Sequence, residues 1–273
     1  MPTVEELKRI AQELRITILR MNHCAGSGHT GGSFSVAEII TVLYYKILNV
    51  RPHEPKWDQR DRFVLSKGHA APALYGTLAG KGFCEPSLLD TLRTCGSPLQ
   101  GHPCMHHMQG IDMSTGSLGM GLSVGLGMAL AALRKAEKWR VFVLCGDGEM
   151  DEGQIWEAFM AIAKWKPSNL TVIIDFNHVQ LDGPVDEVMP LGDLKGKIAS
   201  FGLHTLSCNG HDVAALLDVF EKAEVHNGPT AIVAETTKGK GVSFMEGQAA
   251  WHGKPINDDE FEKALVELKA GLQ

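Results

Sequence analysis

The chain has 273 residues, is 44% hydrophobic and carries a formal net charge of -6 with a pI near 6.0, enough apolar material for a sizeable α/β core but no basic field to attract nucleic acid or an anionic membrane surface. No apolar run approaches the ~20 residues needed to span a bilayer, and the amino terminus lacks the basic-then-apolar order of a signal peptide. The expectation is a cytoplasmic protein with neither nucleic acid nor membrane as a partner. Its six cysteines are scattered without a Cys-x-x-Cys pair, so they read as reduced thiols rather than as a zinc or redox site. The 30 glycines cluster in short runs, unlike a flexible linker.

In chain order, apolar residues from Thr3 to Cys24 recur at mostly helical spacing and predict an amphipathic helix ending before Gly26-Ser27-Gly28-His29. A second helix is expected from Val36 to about Leu48. Arg62 to Ser66 reads as a short strand running into Lys67-Gly68-His69, and Ser97 to Gly110 as an extended loop. The small-residue run from Gly119 to Leu133 reads as a closely packed helix. Arg140 to Cys145, Leu170 to Asp175 and Thr230 to Glu235 are continuous apolar runs, as expected of parallel strands buried on both faces. A helix is expected from Gln154 to Lys164, and another from Asp258 to Leu272. Strand and helix alternate, so the predicted fold class is α/β: a doubly wound, mostly parallel sheet flanked by helices. The whole chain, 1–273, reads as one domain with helical terminal extensions.

Ligands of open α/β sheets bind where loops leave the carboxyl ends of strands, and three polar, glycine-bearing clusters fall at such ends. Gly146-Asp147-Gly148 admits close backbone approach, supplies a hard carboxylate and precedes a helix whose amino end favours an anion. The stretch between Gly148 and Asn177 is long enough for one helix and one strand, which brings Asn177 out of an adjacent strand beside Asp147. A carboxylate, an amide oxygen and a backbone carbonyl would hold Mg²⁺ against two phosphate oxygens.

Gly146-Asp147-Gly148 followed by Asn177 resembles the thiamine-diphosphate-binding motif, and the rest of the chain resembles transketolase. Ser27-Gly28-His29, Leu65 to Ala70, Gly101-His102-Pro103, Thr115 to Gly119 and Trp251 to Pro255 match transketolase blocks in order. The resemblance implies thiamine diphosphate and Mg²⁺ (or Ca²⁺ or Mn²⁺) as cofactors. It implies that Asp147, Asn177 and the Val179 carbonyl bind the metal, with His69 and Gly148 at the diphosphate. Gly116 and Leu118 would meet the aminopyrimidine through backbone groups, and Lys67 and Lys238 would line the anionic region. Glu149 counts with the cofactor-binding set and also as a helix-start acid, while Glu152 is expected at a subunit contact. His102 would hydrogen-bond the donor sugar's hydroxyls, while His29 and His252 would move protons at the substrate hydroxyl and carbonyl.

Ketol transfer takes a proton from a hydroxyl, breaks a carbon–carbon bond and protonates a new alkoxide, for which histidines with pKa near 6.5 suit both directions. Carbanion stabilisation falls to the thiazolium. The family's catalytic glutamate lies in a second α/β domain, whereas this chain stops at Gln273. The resemblance therefore implies a separate C-terminal transketolase subunit carrying that glutamate, sugar phosphate substrates, and a heterotetramer with two copies of each subunit.

Blander alternatives exist at several positions. A lone Gly-Asp-Gly is usually a turn, and His23, His53, His106, His107, His178, His204, His211 and His226 read as structural or surface residues. Gly119 to Gly127 follows no clear strand, so close packing explains it better than a dinucleotide fingerprint. Lys238 to Gly241 reads as either a solvated turn or a contact beside the cofactor. Competing functions are a deoxyxylulose-phosphate-synthase-like enzyme, a ketol transferase for an unusual, for example sulfonated, sugar, and a non-catalytic binding module. Gly101-His102-Pro103 and Trp251-His252-Gly253 favour transketolase over the synthase.

Overall fold

Residues 2–272 are described by a computed structural model. The first helix, α1 (Val4–Cys24), starts at a capping box: the Thr3 hydroxyl accepts from the Glu6 amide and the Glu6 carboxylate accepts from the Thr3 amide, at 3.2 and 2.7 Å. Leu7, Ala11, Leu14 and Ile18, spaced three or four residues apart, form its buried stripe. Next come α2 (Thr30–Phe34) and α3 (Ala37–Val42), which runs into one wide π-type turn at Leu43–Ile47. The helix expected from Val36 to Leu48 is thus interrupted in hydrogen-bond pattern. The helix at α2 is hidden in the sequence by Gly31-Gly32, which lower helix propensity. Gly31 is there for space, since a Cβ would lie 2.8 Å from the Trp251 carbonyl oxygen.

The chain continues through β1 (Arg62–Leu65), α4 (Ala71–Lys81), α5 (Met120–Arg134), β2 (Val141–Gly146), α6 (Gly153–Trp165), β3 (Leu170–Phe176), α7 (Val185–Val188), α8 (Leu194–Ser200), β4 (His204–Asn209), α9 (Val213–Val225), β5 (Thr230–Glu235) and α10 (Asp258–Ala270). Among the described residues the strands form one sheet, ordered β1-β2-β3-β5-β4, with every pairing parallel. The apolar runs are continuous because both faces are covered. Phe142, Leu144, Ile173 and Ile232 pack into one core with α1, α3, α4, α9 and α10. Val141, Val143, Val172, Ile174 and Val233 pack into the other with α5, α6 and α8.

Two of the three glycines of α5, Gly121 and Gly125, are packing residues, whereas Gly127 faces open space. A Cβ on Gly125 would lie 2.3 Å from Val143 Cγ2, and one on Gly121 2.6 Å from Ser66 Cβ, so the helix lies directly on β1 and β2. The edge strand β4 was not foreseen. It is polar and only half-buried, and lacks the apolar run that marks its neighbours. Among the described residues no helix is long and apolar enough to cross a membrane.

Candidate active site

The carboxyl ends of β1, β2, β3 and β5 deliver Lys67, Asp147, Asn177 and Lys238 to one place. In-register pairing of Gly146 with Asp175 sets Asp147 beside the end of β3, and the Asp147 amide donates to the Asp175 carbonyl at 3.1 Å. One Asp147 carboxylate oxygen accepts from the Gly148 amide at 2.8 Å and the other from the His178 amide at 2.6 Å. The Asn177 side-chain oxygen accepts from the Val179 amide at 3.2 Å. A pocket of ≈ 160 Å³ opens here, lined by Lys67, His69, Leu118, Asp147, Gly148, Glu149, Asn177, Val179, Lys238 and His252 together with Gly32, Gly146, Gln180 and Leu181. Ten of the thirteen residues singled out from the sequence line it, while His29, His102 and Gly116 do not.

Asp175, to which the sequence drew no attention, organises the site. Fully buried, it accepts from the Ser35 hydroxyl at 2.7 Å, the Asn177 amide nitrogen at 3.0 Å, the Lys67 ammonium and the Thr236 hydroxyl. With its NH₂ spent on Asp175, the Asn177 amide has its oxygen on the other side, where it accepts from the Val179 amide and retains a second lone pair. Burial opposes the Asp175 charge, but the Lys67 ammonium and the hydroxyl donors bring its pKa below the usual carboxylate range. The only sequence signal is an acid closing an otherwise apolar strand.

Burial, then the charge of Asp175, pushes Asp147 up to about 6. Lys238 is buried, its ammonium donating to the carbonyls of Val179 and Gln180 at 3.0 and 3.2 Å and to His252 Nδ1 at 3.0 Å. Burial, then Lys67, lowers its pKa to about 8. Of the two readings of the Lys238–Gly241 segment, the solvated turn thus fails at Lys238 itself. Glu149 is buried rather than an exposed helix-start acid: it accepts from the Ser66 hydroxyl and from the Gly119 and Gly146 amides, tying the ends of β1 and β2 to the start of α5 at the pocket wall.

His29, His69, His102 and His252 gather at the pocket mouth, with ring centroids 5.0 to 6.4 Å apart in the close pairs. Gly116, at φ 145, allows this approach: a Cβ there would lie 3.2 Å from His102 Cγ. Their ordinary pKa is not kept. Burial, then Arg93, lowers His29 to about 4; burial, then Lys238, lowers His252 to about 3; His69 is lowered well below its usual value by burial and then Lys67; and His102 is lowered by burial and then Arg93. The assumption of imidazoles poised near 6.5 is corrected for the free chain.

Because these folded-state values lie below the unfolded one, acid protonates the unfolded chain first; this contribution to stability is complete above about pH 6.5 and declines as the pH falls toward 4 and 3. The raised Asp147 acts in the opposite sense over part of that range. In NMR titration His29, His69 and His252 are expected to stay neutral between about pH 5.5 and 8; a midpoint near 6.5 for any of them would contradict this environment.

Among the described residues no group of three His, Cys, Asp or Glu side chains is arranged to hold a metal ion. What lines the pocket instead is one carboxylate, Asp147, one amide, Asn177, and the backbone of Val179, whose carbonyl accepts from the Lys238 ammonium. That set suits Mg²⁺ when phosphate oxygens complete the coordination. The space beside it is kept by glycines: a Cβ on Gly148 would lie 2.9 Å from Gln180 Cβ, and one on Gly32 3.4 Å from His69 Nε2. Two buried lysines offset anionic charge. The residues present fit a metal-bound diphosphate.

A parallel sheet with a polar pocket at its strand ends defines an α/β ligand-binding domain. Residues 7–272 match the family described as transketolase, thiamine diphosphate binding domain. The chain belongs to the transketolase family. It is 41% identical over 271 residues to one of the subunits of an apulose-4-phosphate transketolase from Phocaeicola vulgatus, covering 99% of this chain and 96% of that protein. It is equally 41% identical over 265 residues to a 6-deoxy-6-sulfo-D-fructose transketolase subunit from Clostridium, covering 97% and 96%. The transketolase structure from Campylobacter jejuni superposes with TM-score 0.92 at 32% identity, covering 98% of this chain but 43% of that one. The chain therefore spans nearly the full length of the relatives named as subunits and less than half of the single-chain enzyme.

Proposed function

We propose that this chain is the diphosphate-binding subunit of a two-subunit transketolase, active only with a partner subunit that carries the pyrimidine-binding domain and the catalytic glutamate. The observation that carries this reading is that Asp147, Asn177 and Val179 line one pocket with Lys67 and Lys238. Support for a partner comes from end-to-end similarity to relatives named as subunits. The assembly we favour holds two copies of each subunit.

In this proposal Asp147, Asn177 and Val179 hold Mg²⁺, for which Ca²⁺ or Mn²⁺ would substitute as hard cations. Lys67, Lys238, His69, Gly148 and Glu149 form the diphosphate wall, and Gly116 and Leu118 receive the aminopyrimidine through their backbone. When bound, thiamine diphosphate supplies the carbon nucleophile and the electron sink for breaking and making the carbon–carbon bond. The protein's part is to orient and to move protons. His102 hydrogen-bonds the donor sugar's hydroxyls, and the half-buried rings of His29 and His252 exchange protons at the substrate hydroxyl and carbonyl.

Mixing the chain with its complementary subunit, thiamine diphosphate and Mg²⁺ is expected to give transfer from xylulose 5-phosphate to ribose 5-phosphate, with no turnover when either polypeptide is left out. Absence of both turnover and cofactor binding by the pair would overturn the proposal in favour of a non-catalytic module. The names of the relatives motivate a second reading, in which apulose 4-phosphate or 6-deoxy-6-sulfo-D-fructose is the donor; turnover with one of these alone would select it. His102→Ala is expected to leave cofactor affinity intact and to slow turnover roughly 10²-fold, the scale of a lost orienting contact. An equal loss of cofactor affinity would remove His102 from the substrate role.

A further inference from the structure

We propose that Arg93 is a positioning residue for His29: its guanidinium fixes the imidazole in the tautomer with the proton on Nε2, so that His29 meets the substrate as a hydrogen-bond donor. The catalytic half of this statement rests on the proposed function above; the tautomer stands on geometry alone.

Arg93 Nη2 lies 3.3 Å from His29 Nδ1, and Nη1 donates to the Ser27 hydroxyl at 2.9 Å. A guanidinium has five N–H donors and no acceptor, so the ring nitrogen it meets must offer a lone pair. Nδ1 accepts, and the proton resides on Nε2. The other charged or titratable groups that bear on His29 are His102, Lys238 and Lys67, with the His69 and His252 rings alongside. None is a carboxylate, so nothing there would hold a proton on Nδ1.

Arg93 is solvent-exposed, but its backbone and guanidinium are braced. Its backbone adopts a left-handed conformation, φ 59, uncommon for a residue with a side chain, and its amide donates to the Leu99 carbonyl at 2.8 Å. The guanidinium lies against Gly101, where a Cβ would stand 3.1 Å from Arg93 Cζ and 3.2 Å from Nη2. No carboxylate oxygen among the described residues comes within 4.0 Å of it, so its donors are committed to Ser27 and His29 rather than to an ion pair. The His29 carbonyl accepts from the Ser33 amide at 3.3 Å and from the Ser33 hydroxyl at 2.7 Å, which fixes the main chain; the ring sits among those of His69, His102 and His252, with Arg93 its hydrogen-bond partner at Nδ1.

The test is long-range ¹H–¹⁵N correlation NMR of the full chain at about pH 7.5, where both nitrogens of a neutral imidazole are distinguished by shift. The wild type is expected to show an acceptor-type Nδ1 and a protonated Nε2 for His29. Arg93→Met is expected to give a mixture of tautomers, and Arg93→Lys, which still offers only donors, to restore the wild-type pattern in part. In the enzyme reconstituted with its partner, Arg93→Met is expected to lower kcat about tenfold, the scale of one lost charged hydrogen bond, with thiamine diphosphate affinity unchanged. A proton on Nδ1 in the wild type, or a tautomer indifferent to Arg93→Met, would overturn the proposal. The wild-type spectrum decides the tautomer even if Arg93→Met does not fold, and it remains readable if the wild-type pair shows no turnover.

Discussion

Replacing Asp147 with alanine is expected to abolish the Mg²⁺-dependent retention of thiamine diphosphate while leaving the fold intact. The Asp147 carboxylate is the one negatively charged donor in the proposed metal set, and it is buried at the tip of β2 where, among the described residues, it accepts from the Gly148 and His178 amides alone. An amide oxygen and a carbonyl alone give a divalent cation no charge compensation. Alanine also removes a carboxyl that burial and Asp175 already disfavour, so little stability is lost with it. Calorimetric titration of the two-subunit complex should show no Mg²⁺-dependent heat of cofactor binding. Unchanged affinity would take Asp147 out of the metal site.

Asp175→Ala is expected to have the opposite profile, a large loss of stability together with loss of cofactor binding. Alanine leaves the Lys67 ammonium, 2% exposed, without its counter-charge, and an orphaned buried charge costs about 3–5 kcal/mol. That corresponds to a fall in Tm of roughly 10 °C. The Asn177 amide loses the acceptor that fixes its orientation, and the Ser35 and Thr236 hydroxyls lose theirs. Asp175→Asn keeps the shape and one acceptor, and should recover part of the stability but little of the binding. A variant Asp175→Ala that melts with the wild type would show that Lys67 is neutralised by some other group.

The legible parts of this fold are those where one physical cause dominates. β2, β3 and β5 announce themselves as apolar runs because helices cover both sheet faces, and α1 by its stripe and its Thr3–Glu6 box. β4 is a polar, half-buried edge strand, so no apolar run marks it. α2 is masked by glycines chosen for contacts with Trp251 and His69 that only the folded chain reveals.

The site divides in the same way. Asp147 and Asn177 are readable because neighbouring parallel strands must bring their tips together. Asp175 and Arg93 are not, since each acts through partners distant in sequence: Ser35 and Lys67 for the first, Ser27 and His29 for the second. The lowered histidine pKa values are likewise out of reach, arising from burial and from cations that meet only in the folded chain.

The central claim is that this chain grips a metal-bound diphosphate between the tips of β2 and β3. A crystal structure of the two-subunit complex grown with thiamine diphosphate and Mg²⁺ tests it most directly. The account predicts one metal ion with oxygens of Asp147, Asn177 and Val179 at about 2.0–2.1 Å, bridging to the diphosphate beside Lys67 and Lys238. A diphosphate bound elsewhere, or a metal from which Asp147 and Asn177 turn away, would contradict it.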